Sequence, residues 1–237
     1  MKTLNKDVLL LLDPLESLHG PLRPAYLLAK KLKKKFNFTF ASPTVNATIA
    51  KLLEEEGFQV WNVNKRFFLA GSLLTLEAWL RRTKLENKPE NSLIVNFSQC
   101  FLENAQVYYA QGPMTMALDD MRPEMETYQR LVYKLARWHF VRRDKKFVEK
   151  LAEKSKIMIA NSSFCASMYR RWGVEAKKVI YPPLDCAVFK PSNSTPTSDY
   201  VLTYAGKETK YSVLKRIAES GVKVKVFGSK VSCPKSL

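Results

Sequence analysis

The chain has 237 residues, of which 46% are hydrophobic, so it is long enough to form one large domain or two small ones around a proper core. Lysine and arginine outnumber aspartate and glutamate by 39 to 22, and the resulting net charge of +17 favours an anionic partner such as a phosphorylated molecule, an acidic lipid or a nucleic acid. The four cysteines form no CxxC pair and only two histidines are present, which argues against a zinc site.

Neither a signal peptide nor a membrane-spanning segment is expected. The longest apolar run of the first predicted strand, Val8 to Leu12, is far shorter than the roughly 20 residues that a spanning helix needs. Unpaired thiols fit a reducing compartment. We therefore expect a cytoplasmic protein, with any membrane contact peripheral and on the cytoplasmic face.

Predicted strands and helices alternate along the first 181 residues. Residues 7–13 (DVLLLLD) have the continuous apolar run of a strand that is buried on both faces. Apolar residues at helical spacing then predict a helix that begins at Leu22. Further strands are predicted at 38–42, 58–63, 93–97, 106–110, 156–160 and 179–181, and further helices at 45–56, 69–80, 124–154 and 162–172. This alternation predicts right-handed crossovers and a parallel, doubly wound, Rossmann-like α/β sheet.

A shorter α/β pattern follows a proline-rich connector. Adjacent prolines at Pro182 and Pro183 and a patch rich in Ser, Thr, Pro and Asn are typical of a connector and a loop. The pattern after them predicts a strand, a helix and a strand at 200–205, 211–220 and 222–227. We therefore predict a complete domain at 1–181, a connector at 182–199 and the start of a second Rossmann-like domain at 200–237.

Candidate site residues come from the loops that follow strands, because open α/β sheets bind ligands at the carboxyl ends of their strands. Asp13 follows the first strand and could act as a base or bind a hydroxyl, and capping of the next helix is the alternative. His19 and Gly20 lie in the same loop. Gln111 and Gly112 follow the strand at 106–110, where a simple turn is the alternative explanation.

Two further loops have features of anion binding. Asn161 and Ser162 follow the strand at 156–160, and Ser162 either caps the next helix or also helps its N-terminus to receive an anion. In the loop AGKETK, Gly206 permits close backbone approach, and Lys207 and Lys210 could hold a diphosphate beside a helix N-terminus. Ordinary surface lysines are the alternative there, and the spacing is not that of a Walker A loop.

The long helix predicted at 124–154 combines apolar and basic residues. Tyr128, Leu131, Leu135, Trp138 and Val141 form an apolar stripe, and Arg130, Lys134 and Arg137 form a basic face. A solvated basic face is one interpretation. An anionic membrane surface is the other, with Phe67, Phe68 and Trp79 as exposed apolar anchors. No known RNA- or DNA-binding motif is present, so nucleic acid is not favoured as a partner.

Several segments resemble a known family. The interdomain region of retaining GT-B glycosyltransferases of the family 4 type is similar to IMIANSSFCASMYRRWGVEAKKVIYPPLDCAVFKP, DYVLTYAGKETKYSVLKRIAE and VKVKVFGSK. The family's first strand, acceptor loop and helix look like VLLLLDPLESLHGPLRPAYLLAKKL, and the loop that faces its interdomain cleft resembles YYAQGPM. The resemblance covers nearly the whole chain and implies a GT-B-like α/β fold.

The resemblance also implies an activity. The family transfers a sugar from a nucleotide donor with retention of configuration and without a metal or other cofactor, which here implies a UDP- or GDP-linked hexose and a glycan or lipid-linked acceptor. Residues 1–181 would hold the acceptor, with Gly20 at the acceptor-loop glycine. Gly206 and Lys207 match the family's G-[RK] motif, and Lys210 its second basic position, so the two lysines would stabilise the leaving diphosphate.

One element of the family has no counterpart in this sequence. The E-x-x-x-x-x-x-x-E element that holds the donor sugar and ribose would fall beyond Leu237. The expectation is therefore that the 237-residue chain does not transfer sugar by itself, and that a second polypeptide is a candidate to complete the donor domain. The alternative function is a non-catalytic basic module that binds an anionic partner, either a membrane surface or a nucleic acid.

Overall fold

The computed structural model describes residues 6–16, 20, 22–86, 88–89, 91–190, 199–205 and 209–228. The strands in these ranges are β1 (Lys6–Leu11), β2 (Phe36–Ser42), β3 (Gln59–Asn62), β4 (Leu93–Asn96), β5 (Ala105–Ala110), β6 (Ser155–Ala160), β7 (Lys178–Val179), β8 (Tyr200–Ala205) and β9 (Lys223–Gly228). The α-helices are α1 (Leu22–Leu32), α2 (Ala47–Glu55), α3 (Ser72–Arg81), α4 (Met114–Met121), α5 (Thr127–Glu153), α6 (Ser163–Arg170) and α7 (Tyr211–Glu219).

The described residues pack as two compact units. One unit falls within Met1–Met114 and Arg142–Asp185, and the other within Thr115–Val141 and Cys186–Leu237, so that α5 contributes to both. The domain boundaries predicted from the sequence, at 1–181, 182–199 and 200–237, follow the alternation of strands and helices rather than packing, and they stay a prediction.

The first unit is built on a seven-stranded parallel sheet with the order β3-β2-β1-β4-β5-β6-β7. β1 is an inner strand of this sheet, and Leu10 lies opposite Phe40 of β2 on one side and Val95 of β4 on the other. The chain adds strands outward from β1 to β3 and then crosses to β4, so the strand order reverses between β1 and β4. The doubly wound, Rossmann-like sheet predicted from the alternating pattern is confirmed.

Both faces of β1 are buried, as its uninterrupted apolar sequence predicts. Val8 and Leu10 belong to one apolar cluster, and Leu9 and Leu11 belong to a second cluster on the opposite face. Side chains alternate between the faces of a strand, so a strand can bury all of them only where both faces are covered. The carboxyl end of β1 is thereby held between two apolar layers.

Helix ends in this unit follow local capping signals. The Asn46 side chain accepts a hydrogen bond of 2.9 Å from the Thr48 N–H and caps α2. Gly57, with φ of +86°, follows that helix in the left-handed conformation that its sequence position predicts. Ser162 caps α6 through a bond of 3.1 Å from the Cys165 N–H to its hydroxyl oxygen.

The second unit contains a single β-α-β element. β8 and β9 form a two-stranded parallel sheet in which Thr203 lies opposite Val226, and the connecting helix α7 buries Leu214. Val201 and Phe227 remain 41% and 55% exposed. This part of the unit therefore buries little apolar surface, as a lone β-α-β element must.

Three helical features differ from the sequence-based expectation. Helix α4 was not predicted, although Pro113 directly precedes it and proline is favoured at helix starts. Trp79, predicted to be exposed, is 1% exposed because it lies on the buried side of α3 next to Ala78. The apolar stripe of α5 faces outward, with Leu135 78% exposed, because this helix buries Tyr133 and Phe147 on its other side. Of the helices in the described ranges, none could cross a membrane, since each is too short or too polar.

Candidate functional site

The strand order reverses between β1 and β4, and this reversal defines the candidate site. In open α/β sheets, the loops that leave the two strands at such a point diverge and leave a crevice outside the carboxyl edge. Asp13 lies two residues beyond β1, and Ser98 lies two residues beyond β4. The sequence and the topology therefore both indicate the carboxyl edge of the sheet as the candidate site.

Asp13 is bound by the loop that follows β4. Its Oδ1 atom accepts hydrogen bonds from the Ser98 hydroxyl at 2.7 Å and from the Gln99 N–H at 2.9 Å. Its backbone carbonyl accepts a bond of 3.1 Å from the Ser42 hydroxyl at the end of β2. The carboxylate thus joins the loops after β1 and β4, and it does not serve as the cap of α1 that was the alternative interpretation.

The environment of Asp13 favours its protonated form. Burial raises the pKa of this carboxyl above its ordinary value of 3.8, and the hydrogen bonds from Ser98, Gln99 and Cys100 oppose that effect without cancelling it. A carboxylate that is harder to ionise than usual is also a better proton acceptor once ionised. The chemistry at this position therefore fits a general base or a ligand for a hydroxyl.

The raised pKa predicts a pH-dependent stability. The folded state holds the Asp13 proton more tightly than the unfolded state, so the contribution of Asp13 to stability is largest below pH 3.8 and is lost as the pH rises through its raised pKa. We expect the free energy of unfolding of the wild type, measured relative to Asp13→Asn by urea denaturation, to fall over that window. Asp7, which is exposed and bonded to Asn37, provides the control variant Asp7→Asn. A difference between wild type and Asp13→Asn that is flat or rises with pH would contradict the assignment.

Cys100 lies in the same loop but is unsuited to nucleophilic chemistry. Its sulfur is 3.1 Å from the Ser98 hydroxyl, and its side chain is fully buried. Burial and the neighbouring Asp13 carboxylate raise the pKa of the thiol well above its usual range. Because the thiolate is the reactive form, Cys100 acts as a packed neutral thiol.

Gln99 connects these loops to the end of β5. Its backbone N–H binds Asp13, and its side-chain amide donates to the Gly112 carbonyl. The Gln111 side chain returns a bond of 3.2 Å to the Phe97 carbonyl. Gly112 has φ of +111°, a conformation that favours glycine. Hydrogen bonds from the loop after β4 therefore connect the segments that contain Asp13, Gln111 and Gly112.

Residues after β6 extend this edge of the sheet. The Asn161 N–H donates to the Ala110 carbonyl at 3.0 Å and continues the pairing of β5 with β6. The Ser162 hydroxyl caps α6 and lies 3.2 Å from the Asn161 side-chain oxygen. Capping thus accounts for Ser162. The Gly112 N–H donates to the buried Tyr169 hydroxyl at 2.9 Å, which ties α6 to the loop after β5.

The other predicted site residues are placed differently. Gly20, with φ of +64°, precedes α1, and its carbonyl accepts a bond of 3.1 Å from the Arg23 N–H. Lys210 is exposed in the second unit and is the residue immediately before α7. His19, Gly206 and Lys207 lie outside the described residues.

The loop after β4 was missed by the sequence reasoning. Ser98 and Gln99 directly follow the strand predicted at 93–97, just as the candidate residues of the other four loops follow theirs. Asn96 accepts a hydrogen bond from the Ser98 N–H, a local turn for which asparagine is well suited. Applying the rule of strand carboxyl ends to this strand as well would have found it. Across the part of the chain that the structure describes, no group of three or more His, Cys, Asp or Glu side chains could hold a metal ion.

Solved structures that are similar to this chain are known, although no protein-family profile and no curated protein matches this sequence. An Anabaena protein, Alr3699/HepE, solved in complex with UDP and glucose, has a TM-score of 0.54 and 16% identity, with 93% of this chain and 60% of that chain covered. The same protein solved with UDP has a TM-score of 0.50 and 14% identity, with 96% of this chain and 70% of that chain covered. A glycosyltransferase from Rickettsia africae has a TM-score of 0.44 and 12% identity, with 97% of this chain and 69% of that chain covered.

The likeness to the Anabaena protein establishes the fold. The chain has the Rossmann-like architecture of GT-B proteins, as the sequence predicted. It spans 60% of the length of the Anabaena protein in the complex with UDP and glucose. At 16% identity, the comparison carries the fold to this chain and leaves activity, substrate and partners to be proposed.

Proposed function

We propose that this protein is a nucleotide-sugar-dependent glycosyltransferase. The observation that carries the proposal is the fold shared with the Anabaena protein, which was solved with UDP and with UDP and glucose. The motifs from residue 156 to 228 that resemble family 4 glycosyltransferases support it independently of the fold. From this resemblance we propose transfer with retention of configuration, a UDP- or GDP-linked hexose donor and a glycan or lipid-linked acceptor.

Asp13 is proposed to bind the acceptor hydroxyl. It lies where ligands of open α/β sheets bind, and its carboxylate is held by Ser98 and Gln99 rather than by solvent alone. Its raised pKa suits a group that accepts a proton as the hydroxyl becomes a nucleophile. Gln111, Gly112, Asn161 and Ser162 are proposed to form the neighbouring wall of the acceptor site.

The donor diphosphate is proposed to bind at the start of α7. Lys210 immediately precedes this helix, whose N-terminal N–H groups and dipole favour an anion. Gly206 and Lys207 complete the proposed site on the strength of the motif. Ammonium groups at this point would stabilise the charge that develops on the leaving diphosphate. A second polypeptide that completes the donor domain is a further proposed partner.

Isothermal titration calorimetry with four ligands tests this function. We expect saturable binding of UDP or GDP, with a dissociation constant of about 1 mM or lower, as is usual for enzyme substrates. Uridine and inorganic pyrophosphate are the matched controls, because each carries one half of UDP. Both should bind more weakly than UDP if the protein recognises a nucleoside diphosphate.

The same titration distinguishes the second candidate function, a non-catalytic basic module, which the net charge of +17 favours. Such a module would bind pyrophosphate as tightly as UDP, and its affinity would fall steeply with salt, because the attraction is electrostatic and unspecific. Equal affinities for UDP and pyrophosphate would therefore reject the transferase and support the binding module.

A further inference from the structure

Helix α5 exposes a continuous apolar surface in its first half. Five large apolar side chains there are 59–78% exposed: Tyr128, Leu131, Val132, Leu135 and Trp138. We call the surface that they form the outer face of α5. Their spacing of three and four residues places them along one side of the helix. An apolar surface of this kind is unusual on a protein that has no partner for it.

The opposite side of α5 is fixed by contacts with α4. Tyr133 is 5% exposed, and its hydroxyl lies 3.1 Å both from the Thr115 carbonyl, to which it can donate, and from an Asp119 carboxylate oxygen. Arg137 donates two bonds of 2.7 Å to Asp119. At 3.6 residues per turn, Tyr133 points away from Leu131 and Leu135. The inner contacts therefore hold the outer face toward solvent.

The charged residues on this part of α5 all carry a positive charge. Residues 127–143 include five lysines or arginines and no aspartate or glutamate. Arg130 and Lys134 are exposed and stand beside the apolar side chains on the same two turns. An anionic partner with an apolar layer beneath its charges is complementary to this arrangement.

We propose that the outer face of α5 docks on an anionic lipid membrane surface. Tyr128 and Trp138 are side chains that prefer the boundary between headgroups and acyl chains, and Leu131 and Leu135 between them would enter the acyl region. Arg130 and Lys134 would pair with lipid phosphates. A second copy of this chain fits less well, because a symmetric contact would bring these cations against their own counterparts. This inference stands independently of the proposed glycosyl transfer.

Vesicle flotation with the full chain tests the proposal. We expect binding to phosphatidylcholine vesicles that contain phosphatidylglycerol, weaker binding to pure phosphatidylcholine, and release as salt is raised. The variant Leu131→Ser/Leu135→Ser should lower the partition coefficient by about tenfold or more, because it removes the side chains that enter the bilayer. The variant Arg130→Gln/Lys134→Gln should lower it by a similar factor, and for the anionic vesicles alone.

Matched controls distinguish vesicle binding through the outer face of α5 from nonspecific apolar or electrostatic binding elsewhere on the protein. Phe68→Ser removes a side chain that is 89% exposed elsewhere, and Lys31→Gln/Lys34→Gln removes two exposed charges elsewhere. Both controls should bind vesicles almost as the wild type does. Equal decreases of the partition coefficient in the control variants and in the α5 variants would overturn the proposal. Self-association in sedimentation velocity without vesicles, abolished by the leucine variant, would overturn it in favour of a second copy of the chain.

Discussion

Replacing Trp79 by alanine is expected to lower the free energy of unfolding by about 3–5 kcal/mol. Trp79 is 1% exposed and is among the largest side chains that the first unit buries completely. Its neighbour Ala78 belongs to the apolar cluster beneath β1 that contains Leu9 and Leu11. Truncation would therefore leave a large cavity in the interior of the first unit, and urea denaturation measures its cost.

A matched variant shows whether the expected loss of stability comes from the burial of Trp79 or from the removal of any aromatic side chain. Phe68 is 89% exposed, so Phe68→Ala should change the free energy of unfolding by no more than about 0.5 kcal/mol. Trp79→Phe keeps most of the ring volume and should lose less stability than Trp79→Ala, which keeps the test informative if the alanine variant fails to fold. Equal stabilities of Trp79→Ala and Phe68→Ala would show that the indole is not part of the core.

Replacing Lys207 and Lys210 by alanine is expected to weaken UDP binding strongly. Each lysine is proposed to contribute a charge-assisted hydrogen bond, so each single variant should lose about 1.5–3 kcal/mol of binding free energy, or roughly tenfold to a hundredfold in affinity. In a sugar-transfer assay of the enzyme with its donor domain completed, Lys207→Ala should cost about 2–4 kcal/mol in kcat/KM, because charge on the diphosphate increases as the bond to the sugar breaks.

Lys215 supplies the control for these two lysines. It lies on α7, the helix that follows Lys210, is exposed, and stands 3.9 Å from Glu219 across one helical turn. Lys215→Ala removes one positive charge near the proposed site without removing a proposed ligand. If Lys215→Ala weakens UDP binding as much as Lys207→Ala does, the effect is one of general charge and the proposed diphosphate site is rejected.

The sequence predicted the sheet well because its strongest signals are local and repeated. The apolar run of β1 and the helical spacing after Leu22 are each visible in a short window. Gly57 and Ser162 stand at helix ends where their intrinsic preferences are decisive. The parallel, doubly wound arrangement followed from the alternation of the elements together with the handedness of crossovers.

The side of a helix that meets the core was predicted poorly. A stripe of apolar residues indicates the buried side only when the other side is polar, and α5 has Tyr133, Phe140 and Phe147 on its second side. Trp79 was wrongly predicted to be exposed for a related reason. The sequence around a single tryptophan does not show whether its side chain points into the core. Both errors concern tertiary packing, which a short window of sequence does not contain.

The candidate site was predicted in part. Asp13, Gln111 and Gly112 were predicted because they follow strands. In the structure Gln99 binds Asp13 and Gly112, and Gln111 binds the neighbouring Phe97 carbonyl. Gln99 itself could not be ranked from sequence, because its importance comes from two bonds to loops that are distant in the chain. Contacts of this kind depend on which strands become neighbours, and that is a property of the completed sheet.

The position of β1 between β2 and β4 has a consequence for how the protein is synthesised. One neighbour, β2, follows after a single helix, so the β1-α1-β2 element can assemble soon after Ser42 has left the ribosome. The other neighbour, β4, begins only at Leu93, and until then one edge of a strand made of valine and leucine has no partner. At about 5–20 residues per second, that interval lasts for seconds, which is long compared with the microseconds in which local elements form. The strand that precedes Asp13 is thus dependent on protection from aggregation while the chain is being made.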